Sequence, residues 1–230
     1  GHQLPLPEFP QIDRVIIAGM GGSAIGGDLL AAYLANQGKA PICIHRNYNL
    51  PAWAKGKNTL VICSSHSGNT EETLSSFIKA MEQNCSLFVL CTGGELQERA
   101  EAAKVPYWQF HHAGQPRTAI PYSFGLLLAL ANRIGLAKVA EEEVRDAIEV
   151  MRTTHLKLTA NVELAENPAK RLAGQLINRN VLILAVGELE VVARRWKTQI
   201  NELAKAWACF EALPEANHNA LAGLEFPTDL

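Results

Sequence analysis

Thr59-Leu60-Val61-Ile62-Cys63-Ser64-Ser65-His66-Ser67-Gly68-Asn69-Thr70-Glu71-Glu72 carries an apolar run straight into a polar turn and the start of a helical pattern. The run from Thr59 to Cys63 has the continuous apolar, β-branched character of a strand buried on both faces of a parallel sheet. Hydroxyl side chains follow at Ser64, Ser65, Ser67 and Thr70, with Gly68 free to take a positive φ. Asn69 as an N-cap, with Glu72 three residues on, predicts that a helix starts here. A tight strand-to-helix turn exposes unpaired amides at the positive end of a helix dipole, which suits a phosphate or a carboxylate. A plain polar loop with a good cap has the same composition, so the stretch alone leaves both readings open.

The same rhythm repeats on either side. Arg14 to Ala18 is another short buried-strand run, leading into Gly19-Met20-Gly21-Gly22-Ser23-Ala24 and a helical pattern through Ala35. Further strands are predicted at Pro41 to His45, Leu87 to Cys91 and Tyr107 to Phe110. Helices are predicted where Leu74, Phe77, Ile78 and Met81 recur, and from Leu96 to Ala103. This alternation predicts an α/β fold, a doubly wound parallel sheet flanked by helices. In the flavodoxin-like order 2-1-3-4-5, strands 1 and 3 are neighbours whose connections leave in opposite directions, which opens a crevice at their carboxyl ends. The loop Gly21-Gly22-Ser23 and the turn from Ser65 to Thr70 then face one ligand. Pro116-Arg117-Thr118-Ala119-Ile120-Pro121 starts a long apolar helix, Tyr122 to Ile134. Arg117 is a solvated charge near a cap or, if the fifth strand returns its loop to the same edge, a cation for the crevice.

At 230 residues the chain is long enough for one large domain or two smaller ones. Lys+Arg 21 against Asp+Glu 23 gives a formal charge of −2, which argues against nucleic acid or an anionic membrane as a partner. No apolar run approaches the ~18 residues of a membrane-spanning helix, and Gly1-His2-Gln3-Leu4-Pro5 lacks the regions of a signal peptide. Gly1 is consistent with a cloning remnant. Cys43, Cys63, Cys85, Cys91 and Cys209 show no CxxC spacing, as expected of free thiols in a reducing cytoplasm. His45 and His111-His112 have no ligand-spaced partners, so no metal is expected.

Glu141 to Leu158 reads as an amphipathic helix, and the polar stretch Ala160 to Pro168 places a boundary between a first domain, 1–160, and a second, 161–230. The second half predicts a helix from Ala169 to Ile177, a strand from Val181 to Val186, and a helix from about Leu189 to Cys209. It repeats the order of Val15 to Ala35. One strand makes no sheet, so this half reads as incomplete unless an interface or further sequence supplies partners. Val192, Trp196, Ile200, Leu203 and Trp207 form an apolar stripe expected in a core. Glu202 falls roughly 100° from its centre, where an exposed Glu beside Lys205 would also sit. In Leu213-Pro214-Glu215-Ala216-Asn217-His218-Asn219, His218 is either a surface residue or a positioned acid or base.

Five stretches in order resemble the SIS (sugar isomerase) superfamily, and within it the bifunctional phosphoglucose/phosphomannose isomerases. They are Gly19 to Asp28, Ser65 to Thr70, Pro116 to Ala119, Arg195-Trp196-Lys197 with Asn201-Glu202, and Pro214-Glu215 with Asn217-His218-Asn219. The resemblance implies two SIS domains, a homodimer, and aldose–ketose isomerisation of hexose 6-phosphates through an enediol, with no cofactor. By position, Gly22, Ser23, Ser65, Ser67 and Thr70 would hold the phosphate. Glu202 would move a proton between C1 and C2, Arg117 would stabilise the enediolate, and His218 of the neighbouring subunit would assist ring opening. An isomerase of this kind asks for one carboxylate that takes and returns a proton, and for fixed positive charge where the oxyanion develops.

The chain departs from the family at His66, where the motif usually has Tyr. The family's sequences also continue past the position of Leu230, completing the second SIS domain and supplying an active-site Lys, so the resemblance implies an incomplete second SIS domain here. Two other classes compete. One is a non-catalytic sugar-phosphate-binding or regulatory SIS module. The other is an NAD(P)-binding domain, since Gly19-x-Gly21-x-x-Ala24 meets the loose dinucleotide pattern and Arg46 could accept a 2′-phosphate, although no acid ends the second strand.

Overall fold

The structure, a computed structural model, describes residues 4–226, and the Gly1-His2-Gln3 start considered above lies outside them. The chain forms two compact units, the first ending at Ala137 and the second beginning at Lys138. The polar stretch from Ala160 to Pro168 belongs to the second unit.

In the first unit, β1 (Arg14–Ala18), β2 (Ile42–His45), β3 (Thr59–Ser65), β4 (Ser86–Cys91) and β5 (Tyr107–Gln109) form one parallel sheet in the order β2-β1-β3-β4-β5. The doubly wound order expected from the sequence is the order found. Every residue of β3 and β4 is buried, because helices cover both faces of the sheet. On one face Ile16, Val61, Cys63, Val89 and Cys91 pack with Phe77 and Ala80 of α2 (Glu71–Glu82) and Leu96 and Ala100 of α3 (Gly94–Ala102). The other face carries α1 (Gly21–Leu34), which also packs on α4 (Ile120–Arg133). Small residues let α1 fit between the two. A Cβ at Gly27 would lie 3.0 Å from both Ile17 and Ile44, and one at Gly26 would lie 2.5 Å from Ser123 Oγ. Burial pushes the thiol of Cys63 far up and that of Cys91 to about 11, so neither offers a thiolate near neutral pH.

The second unit contains α5 (Glu141–Leu156), α6 (Pro168–Leu176), β6 (Val181–Val186), α7 (Glu190–Gln199) and β7 (Ala208–Leu213). The stretch before α6 is folded rather than loose. Asn167, fully buried, caps α6 by accepting from the amides of Ala169 and Lys170, and donates to the Thr159 carbonyl at 3.1 Å. Lys170 Nζ donates to the carbonyls of Ala160 and Val162, each at 2.7 Å.

Two expectations for this half are corrected. The helix predicted to reach Cys209 ends at Gln199 and passes through a wide π turn, Ile200–Ala204, to Lys205 in the left-handed region at φ 56°. Backbone in that conformation stops a helix. Ala208–Leu213 then becomes a second strand, paired parallel with β6 from Val181↔Ala208 to Val186↔Leu213. The proposed core stripe is also largely exposed: Trp196, Leu203 and Trp207 are 48%, 62% and 74% accessible. Instead α7 buries Val191 and Ala193, and its Arg194 guanidinium lies 4.8 Å over the Phe210 ring of β7.

The α1–α4 contact yields a paired prediction. Gly26→Ala should lower stability by about 1–3 kcal/mol through overpacking against Ser123. Gly125→Ala on α4, where nothing lies within 4 Å of the added Cβ, should be neutral or stabilising by about 0.5–1 kcal/mol. Thermal or denaturant midpoints of the two variants decide, and equal shifts would refute tight packing at Gly26.

Candidate active site

Three loops come together at the carboxyl end of β1 and β3, and backbone contact is what joins them. A Cβ on Gly19 would lie 2.6 Å from the Ser64 carbonyl oxygen, and one on Gly22 would lie 2.7 Å from the Pro116 carbonyl oxygen. Only hydrogen fits at these two positions, so the first turn of α1 rests directly on the end of β3 and on the 3₁₀ turn Pro116–Thr118 that bears Arg117. Across the first of these contacts the His66 amide donates to Ser23 Oγ at 3.2 Å.

The turn after β3 is built on its own hydroxyls. Ser65, buried at the last position of β3, lies with Oγ 2.8 Å from Thr70 Oγ1 and accepts from the Gly68 amide at 3.1 Å. Ser67, exposed, accepts from the Asn69 amide at 3.1 Å. Gly68 takes the expected positive φ, 71°. The proposed Asn69 cap is corrected. Helix α2 begins at Glu71 behind Thr70, whose side chain makes no capping bond, while Asn69 Oδ1 accepts from the Glu95 amide at 2.9 Å and so caps the neighbouring α3. Gly68 O accepts from Leu96 N and His66 O from Thr92 Oγ1, which ties the turn to the start of α3. The first-turn amides of α2 remain without intrahelical acceptors.

Of the residues singled out from sequence, Gly22, Ser23, Ser65, Ser67, Thr70 and Arg117 belong to this loop cluster, with the Arg117 side chain half-buried. Glu202 and His218 belong to the second unit. Glu202 lies half-buried within the π turn Ile200–Ala204, an irregularity that helical periodicity does not reveal and that recurs at functional sites. His218 is exposed at the end of the 3₁₀ turn Glu215–His218, next to Asn219, whose side chain donates to Glu215 Oε1 at 2.8 Å. Arg46, the residue a dinucleotide 2′-phosphate would need, is paired with Asp28 of α1.

One arrangement escaped the sequence reading. His66 Nε2 lies 3.0 Å from His112 Nδ1, and His112 Nε2 lies 3.2 Å from Thr118 Oγ1. Phe110 packs edge-on against His66, and Tyr122 lies beside both His112 and Phe110. The two imidazoles are 46 positions apart, and only the order of β3, β4 and β5 in the sheet brings them together.

Among the described residues no helix is long and apolar enough to cross a membrane, and no group of three or more His, Cys, Asp or Glu could hold a metal ion. A parallel sheet in the order 2-1-3-4-5 with Gly/Ser loops at its switch point makes a doubly wound α/β fold with a ligand crevice between β1 and β3. Residues 165–230 match the family model for the bacterial phospho-glucose isomerase C-terminal SIS domain. The chain is 40% identical to a bifunctional phosphoglucose/phosphomannose isomerase of Caldicellulosiruptor bescii over 94% of its own length and 64% of that protein's. It is 30% identical to a D-glucosamine-6-phosphate 4-epimerase of Sulfolobus acidocaldarius over 94% and 65% of the two chains. Tagatose-6-phosphate ketose/aldose isomerase from Escherichia coli shares the fold at a TM-score of 0.64 and 18% identity, over 91% of this chain and 58% of that one. The chain is similar along nearly its whole length to the bifunctional phosphoglucose/phosphomannose isomerases of the SIS superfamily, and spans somewhat under two thirds of the length of those curated relatives.

Burial and then the neighbouring His112 hold His66 below the ordinary imidazole value of 6.5. On acidification the unfolded chain takes up this proton first. The stabilising contribution is therefore complete above about pH 6.5 and is lost as the pH falls below it. The thermal midpoint should fall between about pH 7 and about pH 5.5, and less steeply in His66→Phe. Parallel curves for the two proteins would contradict this.

Proposed function

We propose that this chain is part of an aldose–ketose isomerase that interconverts glucose 6-phosphate or mannose 6-phosphate with fructose 6-phosphate through an enediol. The observation that carries the reading is the gathering of Ser23, Ser65 and Thr70 hydroxyls with the amino ends of α1 and α2, in a chain whose relatives are named for phosphorylated hexoses. Helix amino termini and short hydroxyl side chains suit a phosphate dianion without requiring a resident cation. In this reading Gly22, Ser23, Ser65, Ser67 and Thr70 hold the phosphate. Gly22 contributes through the absence of a side chain, which would otherwise push the Arg117 turn away.

The chemistry is assigned to charged residues. Glu202 is the base that takes the proton from C1 or C2 and returns it to the other carbon. Arg117 supplies fixed positive charge where the enediolate oxygen develops, and His218, contributed across a homodimer interface, assists opening of the sugar ring. No cofactor is required, since the reaction moves a proton and a double bond within one molecule. Extensive thiol burial accords with a cytoplasmic enzyme.

The decisive assay is a coupled measurement on the full-length protein with glucose 6-phosphate and mannose 6-phosphate. Turnover supports the isomerase, whereas tight binding of fructose 6-phosphate with no turnover of either substrate supports a non-catalytic sensor. In the isomerase Glu202→Gln should reduce kcat at least about 10³-fold with little change in binding, because it removes a base and almost no volume. Retained turnover would remove Glu202 from the mechanism. Ser67→Ala combined with Thr70→Ala should weaken fructose 6-phosphate binding by roughly tenfold or more, through two lost hydrogen bonds to a charged group. Calorimetry showing unchanged affinity would exclude the turn as the phosphate site.

A further inference from the structure

The contacts around His112 assign a direction to its hydrogen bonds. Thr118 Oγ1 donates its only proton to the Gln115 carbonyl at 2.8 Å. Toward His112 Nε2, at 3.2 Å, it is therefore an acceptor, and that nitrogen carries hydrogen. In a neutral ring Nδ1 then has the lone pair, so His66 Nε2 is the donor across the 3.0 Å contact. A single polarised chain runs from His66 through His112 and Thr118 to Gln115. It begins in the turn that holds Ser65, Ser67 and Thr70 and ends in the turn that holds Arg117. The backbone leaves room for it: a Cβ on Gly114 would lie 2.7 Å from the His112 ring and 2.9 Å from Thr118 Oγ1.

We propose that His66, His112 and Thr118 are positioning residues, a hydrogen-bonded bridge that makes the setting of Arg117 depend on occupancy of the anion-holding turn after β3. The bridge gives this turn a direct side-chain connection to the Arg117 segment, beside the indirect backbone one through the start of α1, which meets the end of β3 at Gly19 and the Arg117 turn at Gly22. An anion that draws in the Ser65–Thr70 turn moves the His66 backbone, and the rings transmit that shift to Thr118, next to Arg117. A local hydrogen-bonded network with defined donors can carry such coupling because its members move together or break. The inference rests on the phosphosugar reading above.

The test uses the full-length protein in two arms. In the first, imidazole 15N–1H correlation spectra are recorded while inorganic phosphate is added. The His66 and His112 resonances should move together with one dissociation constant, and in His66→Phe the His112 response should vanish. Phosphate binding with no response at either ring, or a His112 response that survives in His66→Phe, overturns the bridge. No binding of phosphate or of fructose 6-phosphate by the wild type overturns the underlying reading and the bridge with it. In the second arm, Thr118→Val should lower kcat about five- to tenfold with KM within about twofold, Thr118→Ser should restore it, and adding Thr118→Val to His112→Phe should cost nothing further. Additive losses, or a loss confined to KM, overturn the bridge. If the wild type binds fructose 6-phosphate without turning it over, the isomerase reading fails alone and the spectra still decide.

Discussion

Backbone touches backbone where α1 begins, and the rest of the first unit's site depends on that contact. Gly19 lies against the Ser64 carbonyl and Gly22 against the Pro116 carbonyl, at separations no side chain permits. Each added methyl would force apart two loops from distant parts of the chain and carry off the hydroxyls and the cation that they present. The glycine-rich loop therefore acts here as a spacer of minimum thickness between β3 and the Arg117 turn. Its conformational freedom matters mainly at Gly21, whose φ of 48° turns the chain into the helix. The small residues of α1 continue the same solution one turn on, where Gly26 and Gly27 lie against α4 and the sheet.

The fold of the first unit was legible because its strands are short, apolar and β-branched, and because a parallel sheet covered on both sides has no need of polar alternation. The runs from Arg14, Thr59 and Leu87 read correctly for that reason, and the switch point followed from their order. Site features that depend on local backbone were legible too, such as the positive φ of Gly68. What was not legible is what distant segments do to one another. Asn69 has the composition of a cap for its own helix but serves α3, because the β4–α3 connection passes within hydrogen-bond reach. His66 and His112 form a pair only through strand order. The end of α7 was misread since apolar spacing runs on through Trp207, while the chain itself widens into a π turn and breaks at Lys205.

The second unit keeps the strand chemistry of a parallel sheet without the surroundings such a sheet needs. Alternate residues of β6, Leu182, Leu184 and Val186, are 42%, 52% and 57% exposed, although a parallel strand normally buries both faces. Val144, Ile148 and Met151 on α5 are exposed as well. A two-stranded sheet is marginal by itself. Here α7 packs against both of its strands. The Glu202 turn thus sits in a less consolidated setting than the hydroxyl turn of the first unit.

That contrast extends within the first unit to Gly68, where a Cβ would lie 1.8 Å from the Gly93 carbonyl oxygen. The Ser65–Thr70 turn and the start of α3 are interlocked and must travel as one body, anchored by two β-strands. The Arg117 turn is one 3₁₀ turn long, and its residues from Pro116 to Thr118 are exposed or half-buried. A shift of the turn when an anion binds is therefore small and carries the start of α3 with it, and the larger excursion that admits and releases a ligand falls to the cationic side of the crevice.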